Sequence, residues 1–196
     1  MSGGDLSEPV VFGPALEGLK KALGERFTPE LREVLKREGI NLDQVQVAYG
    51  LDTWLKAIRF IADAMGAEVP PTERYRHLGR TFIHGFVETP IGFAALTAGK
   101  VFGVKRTLMR MGRNFKTAGN YIDSEVADLG PQEMSIRTFV PDRFLPKMSQ
   151  QSQLFVEYRQ GVLQAVLDVL NVKGEVEIVR ADLQRHDFTY RISWRS

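Results

Sequence analysis

His77 and His84 are the side chains best suited to acid–base or metal chemistry, since an imidazole titrates near neutrality and commonly ligates metals. They lie seven residues apart on what reads as one helix, with Glu73 four before the first and Glu88 four after the second. At a rise of 1.5 Å per residue the two rings stand about 10 Å apart along the axis, too far to share one ion. Each would need ligands from elsewhere, so the pair is a weak metal candidate, and a solvated or partner-facing stripe is the plainer reading. His186 falls in the turn of a C-terminal hairpin, where exposure is expected. The sequence contains no Cys, which removes disulfides, thiolate metal sites and cysteine nucleophiles together and fits a reducing, cytoplasmic location. No complete catalytic constellation can be read, so no catalytic residue is assigned.

Gly85, Gly92 and Gly99 recur at intervals of seven, and Gly99 with Gly103 makes G-x-x-x-G. A glycine costs an exposed helix interior about 1 kcal/mol, so something must approach these positions closely. One reading is a tight helix–helix contact. The other is a pocket for a small apolar ligand, with Phe82, Phe86, Gly92, Phe93, Gly99 and Phe102 as its lining. Neither a dinucleotide-binding G-x-G-x-x-G nor a P-loop pattern is present. Arg106, Arg110 and Arg113 share the face of a basic helix and could hold an anion or an acidic partner, although such stripes are commonly solvated. A net charge of +2 implies no polyanionic partner, and nucleic acid is not expected.

The elements that would position these residues follow from periodicity. Val10-Val11-Phe12 reads as a short strand, followed by Leu16, Leu19 and Leu23 at helical spacing. Thr28-Pro29-Glu30 opens a second helix that Gly39 closes, with Leu31, Val34 and Leu35 inward. The apolar stripe Leu51, Trp54, Leu55, Ile58, Ile61, Ala62 and Met65 predicts a third helix. Pro70-Pro71 starts a fourth that Pro90 must stop or kink, then come a small-residue helix to Gly103 and the basic one from Val104 to about Lys116. Beyond Gly119 the period changes to two: 120–129 and 133–140 flank Gly130-Pro131-Gln132 as a hairpin. A helix over 154–170 follows, then a second hairpin from 175–180 and 188–194, in which Phe188, Tyr190, Ile192 and Trp194 share one face.

The fold class is therefore α+β, with a helical N-terminal two thirds packed on a C-terminal ββ-α-ββ antiparallel sheet. The 196 residues, 43% hydrophobic and 26% charged, suit one domain over 9–196 after a flexible N-terminus over 1–8. The first residues are polar and acidic and lack the pattern of a signal peptide. The most apolar stretch, Ile91 to Val104, is too short for a membrane span.

Val10-Val11-Phe12-Gly13 with Leu16-Glu17-Gly18-Leu19, Arg80-Thr81-Phe82-Ile83 before Thr89-Pro90-Ile91-Gly92, and Gly119-Asn120-Tyr121 with Glu125-Val126-Ala127-Asp128-Leu129-Gly130-Pro131 together carry a likeness. On these motifs the chain resembles, over nearly its full length, a paralogous family of proteins of unknown function abundant in myxobacteria. More distantly, helices plus ββ-α-ββ resemble the fold of 4-vinyl reductase domains, haem-based nitric oxide sensors and small subunits of the TRAPP vesicle-tethering complex. That resemblance implies a hydrophobic ligand or cofactor cradled between helices and sheet, and a homodimer. The haem sensors use a helix histidine and a Tyr-x-Ser-x-Arg motif, whereas Tyr190-Arg191-Ile192-Ser193-Trp194-Arg195 has a different spacing. Haem is accordingly not expected and no cofactor is evident, although His77 or His84 could supply an axial ligand. The cysteines of the vinyl-reductase relatives have no counterpart.

Three functions remain open. The first is a non-catalytic regulatory or sensory module binding a small hydrophobic molecule. The second is a homodimeric protein-interaction module in bacterial signalling or motility. The third and weakest is an enzyme, which would need His77 or His84 to converge with a carboxylate and a nucleophile.

Overall fold

Three extended residues open the structure, a computed structural model that describes residues 8–66, 68–90, 92–94, 102–113, 115, 118–148 and 154–195. Strand β1 (Val10–Phe12) pairs antiparallel with β2 (Ala48–Gly50), Val11 opposite Tyr49. The Asn120 side chain ties β1 to the C-terminal half, accepting from the Val10 N–H at 2.7 Å and donating to the Glu8 carbonyl at 2.9 Å. β2 was not expected from sequence: three residues ending in glycine carry too short a pattern to separate a strand from a loop.

Helix α1 (Gly13–Leu23) starts with a first-turn proline and buries Leu16, Leu19 and Leu23. In α2 (Pro29–Arg37) the Thr28 hydroxyl accepts from the Leu31 N–H at 3.3 Å, so the expected cap is made. Leu31 and Leu35 face the core, but Val34 is 37% exposed, a correction to the inward reading. With only nine residues, α2 presents one narrow buried edge, and Val34 lies just off it. Helix α3 (Leu51–Asp63) buries the whole expected stripe as far as Ala62, with Met65 partly buried beyond its end. Helix α4 (Pro71–Val87) ends before Pro90 and buries Tyr75, Leu78, Phe82 and Ile83. The helix expected between Ile91 and Gly103 lies mostly outside the described residues. Helix α5 (Val104–Arg113) follows.

The C-terminal third is β3 (Asp123–Gly130), β4 (Glu133–Phe139), α6 (Phe155–Val169), β5 (Gly174–Asp182) and β6 (Asp187–Trp194). The antiparallel sheet has the order β3-β4-β6-β5, which realises the ββ-α-ββ arrangement. On its inner face Met134, Ile136 and Thr138 of β4 lie beside Phe188, Tyr190, Ile192 and Trp194 of β6, all buried, while the alternate residues face outward. Full burial of each large apolar side chain contributes roughly 2 kcal/mol, so this face and α6 form the central layer of the core. Gln160 and Gln164 of α6 fasten it to β5, donating to the Val176 carbonyl at 2.7 Å and the Gly174 carbonyl at 3.1 Å. Helix α5 lies against β3, where the Ser124 hydroxyl donates to the Gly112 carbonyl. Gly85 packs on the backbone of Gly18 and Ala22 in α1, so at this position the close neighbour is another helix. Among the described residues no helix is long and apolar enough to cross a membrane.

Candidate functional site

Where α3 and α4 meet α6, which itself packs on the sheet, aromatic side chains gather around Tyr158. Trp54 from α3 meets Phe82 of α4 edge-on at 6.2 Å between centroids, and meets Tyr158 of α6 edge-on at 6.4 Å. Phe82 stacks on Phe86 at 5.9 Å and contacts Tyr158 at 5.9 Å; Phe155 approaches Tyr158 at 5.6 Å. Edge-to-face geometry of this kind favours the arrangement beyond simple burial.

Polar groups are set into this apolar surround. Arg159 is 4% exposed; its guanidinium donates to the Thr138 hydroxyl at 3.1 Å and lies 5.3 Å over the Phe188 ring. No carboxylate pairs with it among the described residues: its neighbour Glu157 is held by Arg76 at 2.6 Å, and Asp187 by Arg137 at 2.8 Å. Tyr121 lies close by, its pKa raised by burial, with Arg159 and the Trp54 indole acting in the opposite direction. The Trp54 N–H still falls short of hydrogen-bond geometry with any acceptor among the described residues. The Tyr158 hydroxyl is likewise buried without a partner among the described residues, and burial pushes its pKa well up, with Tyr121 adding to the shift. Tyr190 differs, because its hydroxyl donates to the Val156 carbonyl at 3.1 Å. Buried donors without acceptors each cost about 1–3 kcal/mol. The arrangement offers donors and a cation in an aromatic wall, which suits holding a molecule.

Of the residues singled out from sequence, Phe82 and Phe86 belong to the aromatic cluster. Gly92 is buried, with the Phe86 carbonyl against the space a side chain would need. Phe93 and Phe102 are 64% and 50% exposed, and Gly99 lies outside the described residues. Arg106, Arg110 and Arg113 line an open depression of about 460 Å³ together with Met109. His77 and His84 are both exposed on the outer side of α4; partial burial and the nearby Arg26 and Arg80 lower the His77 pKa. No group of three His, Asp or Glu side chains that could hold a metal ion occurs among the described residues. His186 corrects an expectation: it is 6% exposed, because its backbone takes φ 49° and turns the ring edge-on to Phe188 beneath the sheet.

Trp54, Tyr121, Tyr158 and Arg159 were not singled out from sequence. One signal was available for Arg159: it sits four residues after Phe155 and four before Leu163, in phase with the buried stripe of α6, where a charged residue is out of place.

The profile of a family described as protein of unknown function (DUF2378) matches residues 10–195. No curated protein matches the chain in sequence. Solved structures do match in fold. An oxygen-binding H-NOX domain related to soluble guanylate cyclases superposes with a TM-score of 0.65 at 16% identity, covering 94% of this chain and 93% of that one. A structure described as probing the function of haem distortion in the H-NOX family gives 0.65 at 17% identity, covering 94% and 95%. An H-NOX variant from T. tengcongensis gives 0.59 at 16% identity, covering 94% and 97%.

These likenesses establish an H-NOX-like fold and overturn the expectation that haem is to be set aside, because domains studied for their haem share this architecture. The fit of the residues is divided. The aromatic wall and the buried Arg159 suit a large planar ring bearing carboxylates, whereas His77 and His84 point away from the core and do not supply an axial ligand there.

Proposed function

We propose that this chain, which belongs to the DUF2378 family of proteins of unknown function, is a regulatory or sensory module that binds a small hydrophobic ligand between its helices and its sheet. The observation that carries this reading is the aromatic cluster of Trp54, Phe82, Phe86 and Tyr158 with partnerless buried polar atoms beside it. The fold supports it, since the H-NOX domains of like architecture include one described as oxygen-binding. Donors and a cation without an adjacent base and nucleophile favour binding over catalysis. Haem is one candidate ligand.

Native mass spectrometry of the full chain, before and after titration with haemin, tests the reading. A retained small molecule, or stoichiometric haemin uptake with a sharpened absorption band, supports it. A bare dimer that takes up neither haemin nor an apolar dye overturns it.

A second reading has one observation of its own. The depression bounded by Arg106, Arg110 and Arg113 presents three exposed guanidiniums, none in an ion pair with a described residue. In this reading the helix docks an acidic partner in a cytoplasmic signalling assembly, with the chain as a homodimer.

A further inference from the structure

We infer that the ligand of this site carries a carboxylate, and that Arg159, with Tyr121, Tyr158 and Trp54, forms the receptor for it. The inference rests on the ligand-binding reading above and adds the chemical class of the ligand: an apolar body with an anionic head.

The argument is a balance of charge and of donors. A guanidinium that is 4% exposed brings five N–H groups into the core, and the acceptor found for it is the Thr138 hydroxyl. Around it stand the Tyr158 hydroxyl and Trp54 indole N–H, both buried and without a hydrogen-bond partner among the described residues. Tyr121 joins them, since its neutral hydroxyl lies beside both the Arg159 guanidinium and the Trp54 indole. The other hydroxyl of the cluster, Tyr190, is already committed to the Val156 carbonyl. Donors therefore exceed acceptors, and the one formal charge has no counter-ion among the described residues. An uncompensated buried charge is strongly destabilising, and pairing it with an anion in good geometry removes most of that cost. A carboxylate provides what is missing: one negative charge and two oxygens that a guanidinium binds in a fork, with lone pairs left for a phenol and an indole. The aromatic rings of Trp54, Phe82 and Tyr158 then face the apolar body attached to that head.

The test measures calorimetric binding of octanoate and 1-octanol to the full chain, and of protoporphyrin IX in parallel, which separates a chain acid from a macrocyclic one. Either acid should bind the wild type, with octanoate at least tenfold tighter than octanol if the ligand is a chain acid. In Arg159→Met, acid binding should fall at least tenfold while octanol binding is kept; Tyr158→Phe, which preserves the fold more safely, should weaken the acid alone, by a few-fold. Equal binding of octanoate and octanol without protoporphyrin uptake overturns the carboxylate receptor and leaves the apolar site standing. So does acid binding that survives Arg159→Met. Failure of all three probes to bind overturns the ligand-binding reading itself.

Discussion

Gly79 of α4 and Gly161 of α6 stand against each other's helices: a Cβ on Gly79 would strike the Tyr158 carbonyl, and one on Gly161 the Arg76 carbonyl. The obstructing atoms are backbone, which cannot swing aside, so a methyl group forces the helices apart and opens the layer that holds Tyr158 and Phe82. Alanine favours a helix over glycine by about 1 kcal/mol, but overpacking of this kind costs about 1–3 kcal/mol, and here both helices must shift. Gly161→Ala is expected to lose about 2 kcal/mol in urea unfolding, in the middle of that range. Unchanged or greater stability would show that the helices separate freely.

The elements with long, regular patterns were legible in the sequence. The stripe from Leu51 to Ala62 is fully buried, and the alternation from Phe188 to Trp194 faces inward as its period required. β2 was not legible, since three residues hold less than two periods of any pattern. His186 was misread because a hairpin turn is ordinarily a surface feature, and nothing local shows that this turn folds its ring under the sheet. The candidate site was hardest to see. Its members Trp54, Tyr121, Thr138 and Arg159 come from four separate elements or linkers, and only tertiary packing brings them together.

Asp187 at the start of β6 is gripped by Arg137 through two hydrogen bonds of 2.8 and 2.9 Å, with Arg180 at 3.8 Å. Hydrogen bonding from Arg137 holds its carboxyl below the ordinary value of 3.8, against the opposing effect of burial. Its stabilising contribution is complete above that value and fades as pH falls through the lower folded pKa. Asp187→Asn should cost about 2 kcal/mol at neutral pH, the scale of hydrogen bonds to a charged group. The gap between wild type and variant should narrow below about pH 4 in a series of thermal melts. A gap that persists unchanged into acid would assign the loss to packing.

His186 titrates in the other part of the pH range. Burial, then Arg159, lowers its pKa from the ordinary 6.5, and Asp182 opposes them. The unfolded chain therefore binds a proton that the folded one resists, so this contribution to stability is present above 6.5 and lost as pH falls towards the folded value. His186→Asn keeps a residue that tolerates the positive φ and removes the titration. Its unfolding free energy should depend less steeply on pH between about 7 and 5 than that of the wild type. Parallel slopes would exclude the imidazole as the source.

Arg110 lies on the exposed face of α5 beside the depression it shares with Arg106 and Arg113. Reversing an exposed charge with no ion partner changes stability by less than about 0.5 kcal/mol. Arg110→Glu should therefore melt with the wild type while losing any salt-sensitive binding to an acidic partner. A clear drop in melting temperature would mean that the guanidinium serves the fold.

Tyr158→Phe gives the sharpest stability test of the buried polar cluster, because its sign is at issue. The substitution keeps the ring against Trp54, Phe82 and Phe155 and removes only a hydroxyl that has no partner among the described residues. Deleting a satisfied buried hydroxyl usually costs about 1 kcal/mol, whereas deleting an orphaned one relieves a desolvation penalty of about 1–3 kcal/mol. Ligand-free Tyr158→Phe is therefore expected to be more stable than wild type by about 1 kcal/mol, read from denaturant midpoints at equal m-values. Lower stability would mean that an ordered water satisfies the hydroxyl in solution, and the polar cluster would then be complete without a guest. Higher stability would mean that the native chain maintains a strained group in its core, one that only a bound acceptor relieves.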